Sequence, residues 1–436
     1  MFNANRNLVG SSPFLDPPVD PPPMAMLGSS DGDEVFRTLP LLAELARTPE
    51  WVASHPLAGF DVHLLLHLFD NLVGFCLAAK KLGLNLAHVT VYSKPDGYRY
   101  INRAGVIAML RSLGVTVRPA SDINLDLVRK LDQQADESGC QILIVEDGGY
   151  FSPIFALHPN LGRHLVGIVE QTSRGERLLR ETGRPAAFPV LSVPSSELKK
   201  KLEPDFVADG AVRAVQAMIP NRSLRNLKSA VLGLGDMGRA LVIRLAENCS
   251  PPAMFDPQPD KQLLAIKLCG RLCTTTIEAI KDADVIFGVT GHSSVTADHV
   301  PHLKHGVVLV SVSSNDTEFD KLGLTRMAGT PTPVYRDGAP HTEANRIGLR
   351  YTVPPIGKSI TLLADGFPVN FWGSYDGMAY GGMGNDLADL IMSILFVSTI
   401  EIALGTHKDT PGIVPGAVDE HIRRHDLCAR FLRYHR

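Results

Sequence analysis

Three groups of residues could do chemistry by type and spacing. The first is the turn Gly233-Leu234-Gly235-Asp236-Met237-Gly238, entered from the apolar run 230–232 and left through a segment with Ala240, Leu241, Ile243, Leu245 and Ala246 on an apolar stripe. In a strand–turn–helix unit these glycines permit a tight turn, close approach of the backbone to a pyrophosphate, and close helix–strand packing, while the helix start offers unpaired N–H groups. A second apolar run, 253–255, ends in Asp256, eighteen residues after Gly238. An acid there can accept hydrogen bonds from a ribose diol and would repel a 2′-phosphate, so NAD is expected over NADP. Glycine-rich turns also arise by chance, but strand, helix and acid agree here.

The second group is Asp147, which precedes Gly148-Gly149 at the end of the apolar run 141–145. It is either a turn former or a carboxylate at the mouth of a sheet. The third comprises His63, His67 and Lys199. The two histidines are four apart, but they lie in a strand-like stretch without a nearby Glu, so a metal pair is rejected. Lys199 stands in Lys199-Lys200-Lys201, where a solvated charge run competes with a functional amine.

The elements that must position these groups follow from the pattern of apolar runs. From Asp61 to about 195, strands at 61–67, 87–93, 115–119, 141–149, 166–172 and 187–193 alternate with helices such as 71–82 and 104–113. Alternation of this kind predicts a parallel, doubly wound sheet. A second Rossmann-like unit follows the helix at 205–222, with a helix at 260–268 and runs at 285–291, 307–314 and 359–366; Thr290, Gly291 and Ser314 close two of them as further cofactor contacts. The reading is therefore α/β: two doubly wound parallel-sheet domains joined by hinge segments. The expected division is a disordered proline-rich leader at 1–32, a substrate domain at 33–205 plus 373–410, an NAD-binding domain at 206–372, and a tail at 411–436. Within the tail, His421, Arg423, Arg424 and His425 are expected on a solvated face. The glycine-dense stretch 373–384 reads as a hinge or a ligand-touching backbone.

The chain has 436 residues, 44% hydrophobic and 20% charged, with net charge -3. This is ordinary for a soluble globular protein, and the near-neutral balance, without a basic aromatic stripe, argues against a nucleic-acid surface. No run is long enough to span a bilayer and no signal-like start is present, so a cytoplasmic protein with a small-molecule partner is expected. Six cysteines are sparse for this length and fit a reducing compartment. Cys269 and Cys273 could share a helix face, where burial is preferred to zinc binding.

Several motifs together resemble the adenosylhomocysteinase family: HPLAG at 55–59, the strand leading to His67, VEDGGYFSPIF at 145–155, GIVEQTSRG at 167–175, LGLGDMGRA at 232–240 and ITLLADGFPVN at 360–370. The resemblance implies a two-domain enzyme, usually a tetramer, with tightly held NAD. It implies oxidation of a nucleoside 3′-hydroxyl, elimination of a thiol at 5′, addition of water and reduction of the ketone. It also implies that His67 lies near the ribose, that Asp147 is the substrate-side aspartate, and that Lys199 handles the 3′-hydroxyl proton. Thr172 and Ser173 would hold the nicotinamide ribose, Asn370 would face nicotinamide and sugar, and Asn71, Gln171 and Glu203 would meet substrate.

The departures from that pattern touch the chemistry. Gln171 replaces a second acid, Glu203-Pro204 replaces an Asp-Asn pair in a shortened stretch that lacks the family's cysteine, Ser314 and a position near Gly377 replace histidines, and the chain ends at Arg436 without the Lys-and-Tyr tail. Phe69 and Asn71 also replace the Thr and Gln expected against adenine. The expected activity is therefore NAD-dependent oxidation of a nucleoside 3′-hydroxyl with an altered 5′ outcome, in a homo-oligomer, dimer or tetramer. The alternatives are a non-catalytic NAD- or nucleoside-binding regulatory paralogue and, more weakly, a small-hydroxyacid dehydrogenase.

Overall fold

The computed structural model describes residues 33–94, 103–219, 221–313, 316–342, 345–372 and 385–435. The expected leader, Ser314 and the glycine-dense stretch 373–384 lie outside the described residues.

Six strands, β1 Phe60–Leu65, β2 Val89–Ser93, β3 Thr116–Pro119, β4 Gln141–Glu146, β5 Leu165–Glu170 and β6 Pro189–Ser192, form a parallel sheet in the order β6-β5-β4-β1-β2-β3. Strand periodicity explains its two covered faces. Val62 and Leu64 point into one apolar cluster with Leu72, Phe75, Leu395 and Phe396, while Leu65 points into another with Ile144, Phe151 and Phe155. The order reverses between β1 and β4, so the turns after these strands diverge and leave a crevice at their carboxyl ends.

The second sheet repeats the plan. Its strands are β7 Ser229–Leu232, β8 Ala253–Phe255, β9 Arg271–Leu272, β10 Val285–Gly288, β11 Val307–Ser311, β12 Thr332–Tyr335, β13 Arg346–Val353 and β14 Lys358–Leu363, in the order β12-β13-β14-β11-β10-β7-β8-β9. Its antiparallel pairs are β12 with β13 and β13 with β14, at one edge, and the order reverses between β7 and β10. Two doubly wound domains are thus observed. The helix Glu197–Met218 starts at the first crevice and packs along the dinucleotide-turn helix Asp236–Asn248 of the second domain.

Residues 411–435 are not a separate tail. Gly412–Ile413 pairs with β6 as a seventh strand of the first sheet, and the helices Ala417–Arg424 and Leu427–Tyr434 pack on the long apolar helix Asn385–Ala403. Nor is the basic face solvated throughout. His421 is buried, and the buried carboxylate of Glu401 gathers Arg424 at 3.0 Å and His425 at 2.7 Å, because a carboxylate removed from water needs hydrogen-bond donors and a counter-charge. The cysteine reading also changes: Cys273 is buried but Cys269 is exposed, and β9 intervenes, so they share no helix. Among the described residues no group of metal-ligating side chains is assembled, and no helix is long and apolar enough to cross a membrane.

Candidate active site

The dinucleotide turn is built from its glycines. Gly233 has φ +103°, and a Cβ there would lie 2.7 Å from the Val289 carbonyl oxygen at the end of β10. A Cβ on Gly238 would lie 1.9 Å from the Gly233 carbonyl oxygen, so only glycine lets the helix start so close to β7. Gly235 differs: a Cβ there would meet nothing within 4 Å, which leaves open room in front of its backbone. It caps the helix Asp236–Asn248 without any side-chain hydrogen bond, so the orphan N–H groups of the first turn are left for a ligand or water.

Charges around the turn are arranged for an anion. Asp236 would oppose a phosphate, but Arg239 Nη2 pairs with it at 2.5 Å while Nη1 donates to the Leu234 carbonyl. Asp256 is buried at the end of β8; Oδ2 accepts the Leu234 N–H at 2.8 Å and Oδ1 accepts the Gln258 N–H at 2.9 Å. One N–H per oxygen leaves each a lone pair for a ribose hydroxyl. Met237 is half-buried in the first helical turn.

Beyond β10, Thr290 and Gly291 are tied to Glu318: the Gly291 N–H donates to Oε1 at 2.6 Å, and Thr290 Oγ1 lies 2.9 Å from Oε2. Burial pushes the Glu318 carboxyl up despite these donors. Sequence reading missed Glu318, since an isolated acid after β11 carries no motif. Asn370 is buried in the turn Val369–Phe371, and its Oδ1 has no hydrogen-bond partner among the described residues. A buried carboxamide oxygen without a partner among the described residues fits a donor on a ligand, and with the open approach at Gly235 and the spare lone pairs of Asp256 the residues present fit NAD.

The first crevice holds the acid–base groups. Asp147 follows β4, His67 follows β1 by two residues, and Lys94 follows β2 directly. Lys94 Nζ lies 2.5 Å from Asp147 Oδ1, and His67 Nε2 lies 3.3 Å from Asp147 Oδ2. Burial alone would raise the Asp147 carboxyl, but Lys94 and His67 hold it well below the usual carboxylate range. Burial, with Lys94, lowers the His67 imidazole against the opposing pull of Asp147.

Two buried glutamates hold the turns on which this rests. Glu146 accepts the N–H groups of Tyr150, Phe151 and Ser152, and Glu170 accepts those of Gly148, Gly149 and Thr172. Burial and the neighbouring Glu146 push the Glu170 carboxyl up to about 8. A Cβ on Gly175 would fall 1.9 Å from Glu170 Oε2, which explains the glycine there.

The remaining expected residues fall nearby. Thr172 caps the helix Ser173–Glu181: its Oγ1 accepts the Gly175 N–H and donates to Glu170 Oε1, so the hydroxyl serves the fold, and Ser173 begins that helix. Lys199 is 4% exposed while Lys200 and Lys201 are exposed, which removes the charge-run reading. Its Nζ donates to the Gln171 carbonyl at 2.5 Å and lies 3.4 Å from Glu203 Oε1. Asn71 is half-buried in the first turn of the helix Asp70–Lys81. The two crevices meet where Phe371, next to Asn370, lies against the His67 ring at a centroid distance of 4.5 Å.

Two doubly wound domains, with a glycine turn between strand and helix in the second, define an NAD-binding protein. The sequence is 26% identical over 410 residues to the adenosylhomocysteinase of Thermotoga maritima, covering 90% of this chain and 92% of that one. It is 27% identical over 386 residues to an uncharacterized protein of Mycobacterium tuberculosis, covering 84% of this chain and 68% of that protein. No family model matches the chain. Among solved structures, D-lactate dehydrogenase from Escherichia coli aligns at a TM-score of 0.35 and 16% identity, over 61% of this chain and 78% of that one. A D-2-hydroxyisocaproate dehydrogenase aligns at a TM-score of 0.29 and 14% identity, over 54% of this chain and 74% of that one.

Proposed function

We propose that this protein is an NAD-dependent enzyme that oxidises the 3′-hydroxyl of a nucleoside, adenosine or a thioether derivative, with a 5′ outcome altered from thioether hydrolysis. The observation that carries the reading is the contact of Phe371 with His67: Phe371 adjoins Asn370, whose carboxamide oxygen has no partner among the described residues, and His67 is grouped with the buried Lys94 and Asp147. Similarity to an adenosylhomocysteinase over nearly the whole chain supports the nucleoside class.

NAD, when bound, supplies a hydride acceptor. The glycine cradle and Asp256 would orient it, Asn370 offers a hydrogen-bond acceptor next to Phe371, and the aromatic rings of Phe69 and Phe371 pack against His67. Lys199, fixed by the Gln171 carbonyl, presents an ammonium at the β5 end of the crevice. Gln171 is an amide and takes no proton, so proton transfer at the 4′-carbon cannot run through that position; this underlies the altered 5′ outcome.

The test is to load the protein with NAD and follow reduced-nicotinamide absorbance while adenosine, its 5′-thioethers and small 2-hydroxy acids are offered. Reduction by a nucleoside and not by hydroxy acids is expected. Reduction by none of them, with NAD bound, would favour the second reading that Gln171 motivates: a non-catalytic NAD- or nucleoside-binding regulatory protein.

A further inference from the structure

Lys94 belongs to no motif in the sequence, yet it reaches the centre of the first crevice. It directly follows β2, the neighbour of β1, so its side chain meets the turns that follow β1 and β4. Nζ lies 2.5 Å from Asp147 Oδ1 and 3.3 Å from His67 Nε2, and Lys94 and Asp147 are 4% and 2% exposed. A lysine and an aspartate removed from water must be paired. The imidazole at the same distance from both turns that pair into a three-membered proton-handling group.

We propose that Lys94 is a positioning residue of the acid–base centre: it fixes Asp147 as a carboxylate and sets its own charge against His67, which makes the neutral imidazole, and not Asp147, the proton acceptor in this crevice. The assignment rests on the reading that a sugar hydroxyl is deprotonated here. In that step the O–H bond breaks, its electron pair stays on the sugar oxygen, and an N–H bond forms on the imidazole. The resulting imidazolium is stabilised by Asp147 and opposed by Lys94, so it returns its proton readily when the sugar is reduced again.

Among the described residues, the charged groups that shift His67 are Lys94 from the end of β2 and Asp147 from the end of β4, and the rings of Phe69 and Phe371 pack against it without charge. The lowered imidazole and the lowered Asp147 carboxyl both agree with this division of labour. Lys199 is held apart from it, on the Gln171 carbonyl.

The experiment is a pH titration of the full chain with isotope-labelled histidine, the His67 signal being identified by its loss in His67→Asn. In Lys94→Met the His67 midpoint should rise by about one pH unit or more, because a like charge has been removed. Lys94→Arg should keep the low midpoint. If Lys94→Met does not fold, Asp147→Asn serves instead: it leaves the lysine charge unopposed, and the midpoint should fall further. A folded Lys94→Met with an unchanged midpoint, an equal rise in Lys94→Arg, or a rise in Asp147→Asn would overturn the assignment. The titration needs no substrate, so a failure of nucleosides to reduce NAD would count against the proposed activity and not against Lys94. Where turnover is measured, the acid limb of the pH profile should move up in Lys94→Met by the same amount as the midpoint.

Discussion

Gly235 and Gly238 separate what binds from what folds. At Gly238 a Cβ would strike the Gly233 carbonyl at 1.9 Å, whereas at Gly235 it would enter open space. Gly238→Ala should therefore lower the urea midpoint, by about 1–3 kcal/mol of overpacking, and remove NAD binding. Gly235→Ala should leave the urea midpoint unchanged while weakening NAD about tenfold or more, since the methyl occupies the approach to the backbone. Asp256→Asn keeps an acceptor but loses the charge that would repel a 2′-phosphate, so the ratio of NAD to NADP affinity should fall; calorimetric titration with both dinucleotides reads this directly. The strand–turn–helix geometry around these glycines was legible in the sequence because turn chemistry is local. Lys94 and Glu318 were not: their roles arise from strand order, which brings together turns that are far apart in the chain.

The helix Glu197–Met218 shows the same division at the scale of elements. Its existence follows from apolar spacing, but the burial of Lys199 depends on where the helix begins. Ser196 caps it by accepting the Lys199 N–H, which starts the helix so that Lys199 faces the Gln171 carbonyl while Lys200 and Lys201 face solvent. Ser196→Ala should cost about 1 kcal/mol of stability in urea unfolding. Lys199→Met removes the ammonium at the β5 end of the crevice and should lower any nucleoside-dependent turnover by about tenfold or more, the loss of a hydrogen bond from a charged group, with NAD binding retained. The C-terminal helices belong to the first domain for an equally non-local reason. The Gly412–Ile413 strand and the Glu401 carboxylate need partners from elsewhere, and no periodicity within 411–436 announces them. His421 lies there, with Nε2 2.8 Å from His407 Nε2, and burial lowers it to about 4. A folded state that binds this proton more weakly than the unfolded chain loses stability as pH falls from about 6.5 towards 4. The urea midpoint should drop across that window, and His421→Leu should flatten the drop.

At the scale of the whole molecule, two sheets each reverse their strand order once, and Phe371, which ends the segment Val369–Phe371 after the second sheet, touches His67 after the first strand of the first sheet. The alternation of strands and helices made both sheets readable, since each parallel strand is apolar along its length. The substrate is less readable, because the positions that would choose it, Phe69, Asn71 and Gln171, depart from the pattern the rest of the chain resembles. The most direct measurement is the nucleotide content and binding of the purified protein: denaturation and identification of any released nucleotide, followed by titration of the emptied protein with NAD. The account predicts NAD, either co-purified or bound when supplied, with binding lost in Gly238→Ala and weakened in Gly235→Ala. A protein that carries no nucleotide and binds neither NAD nor NADP at millimolar concentration would contradict it.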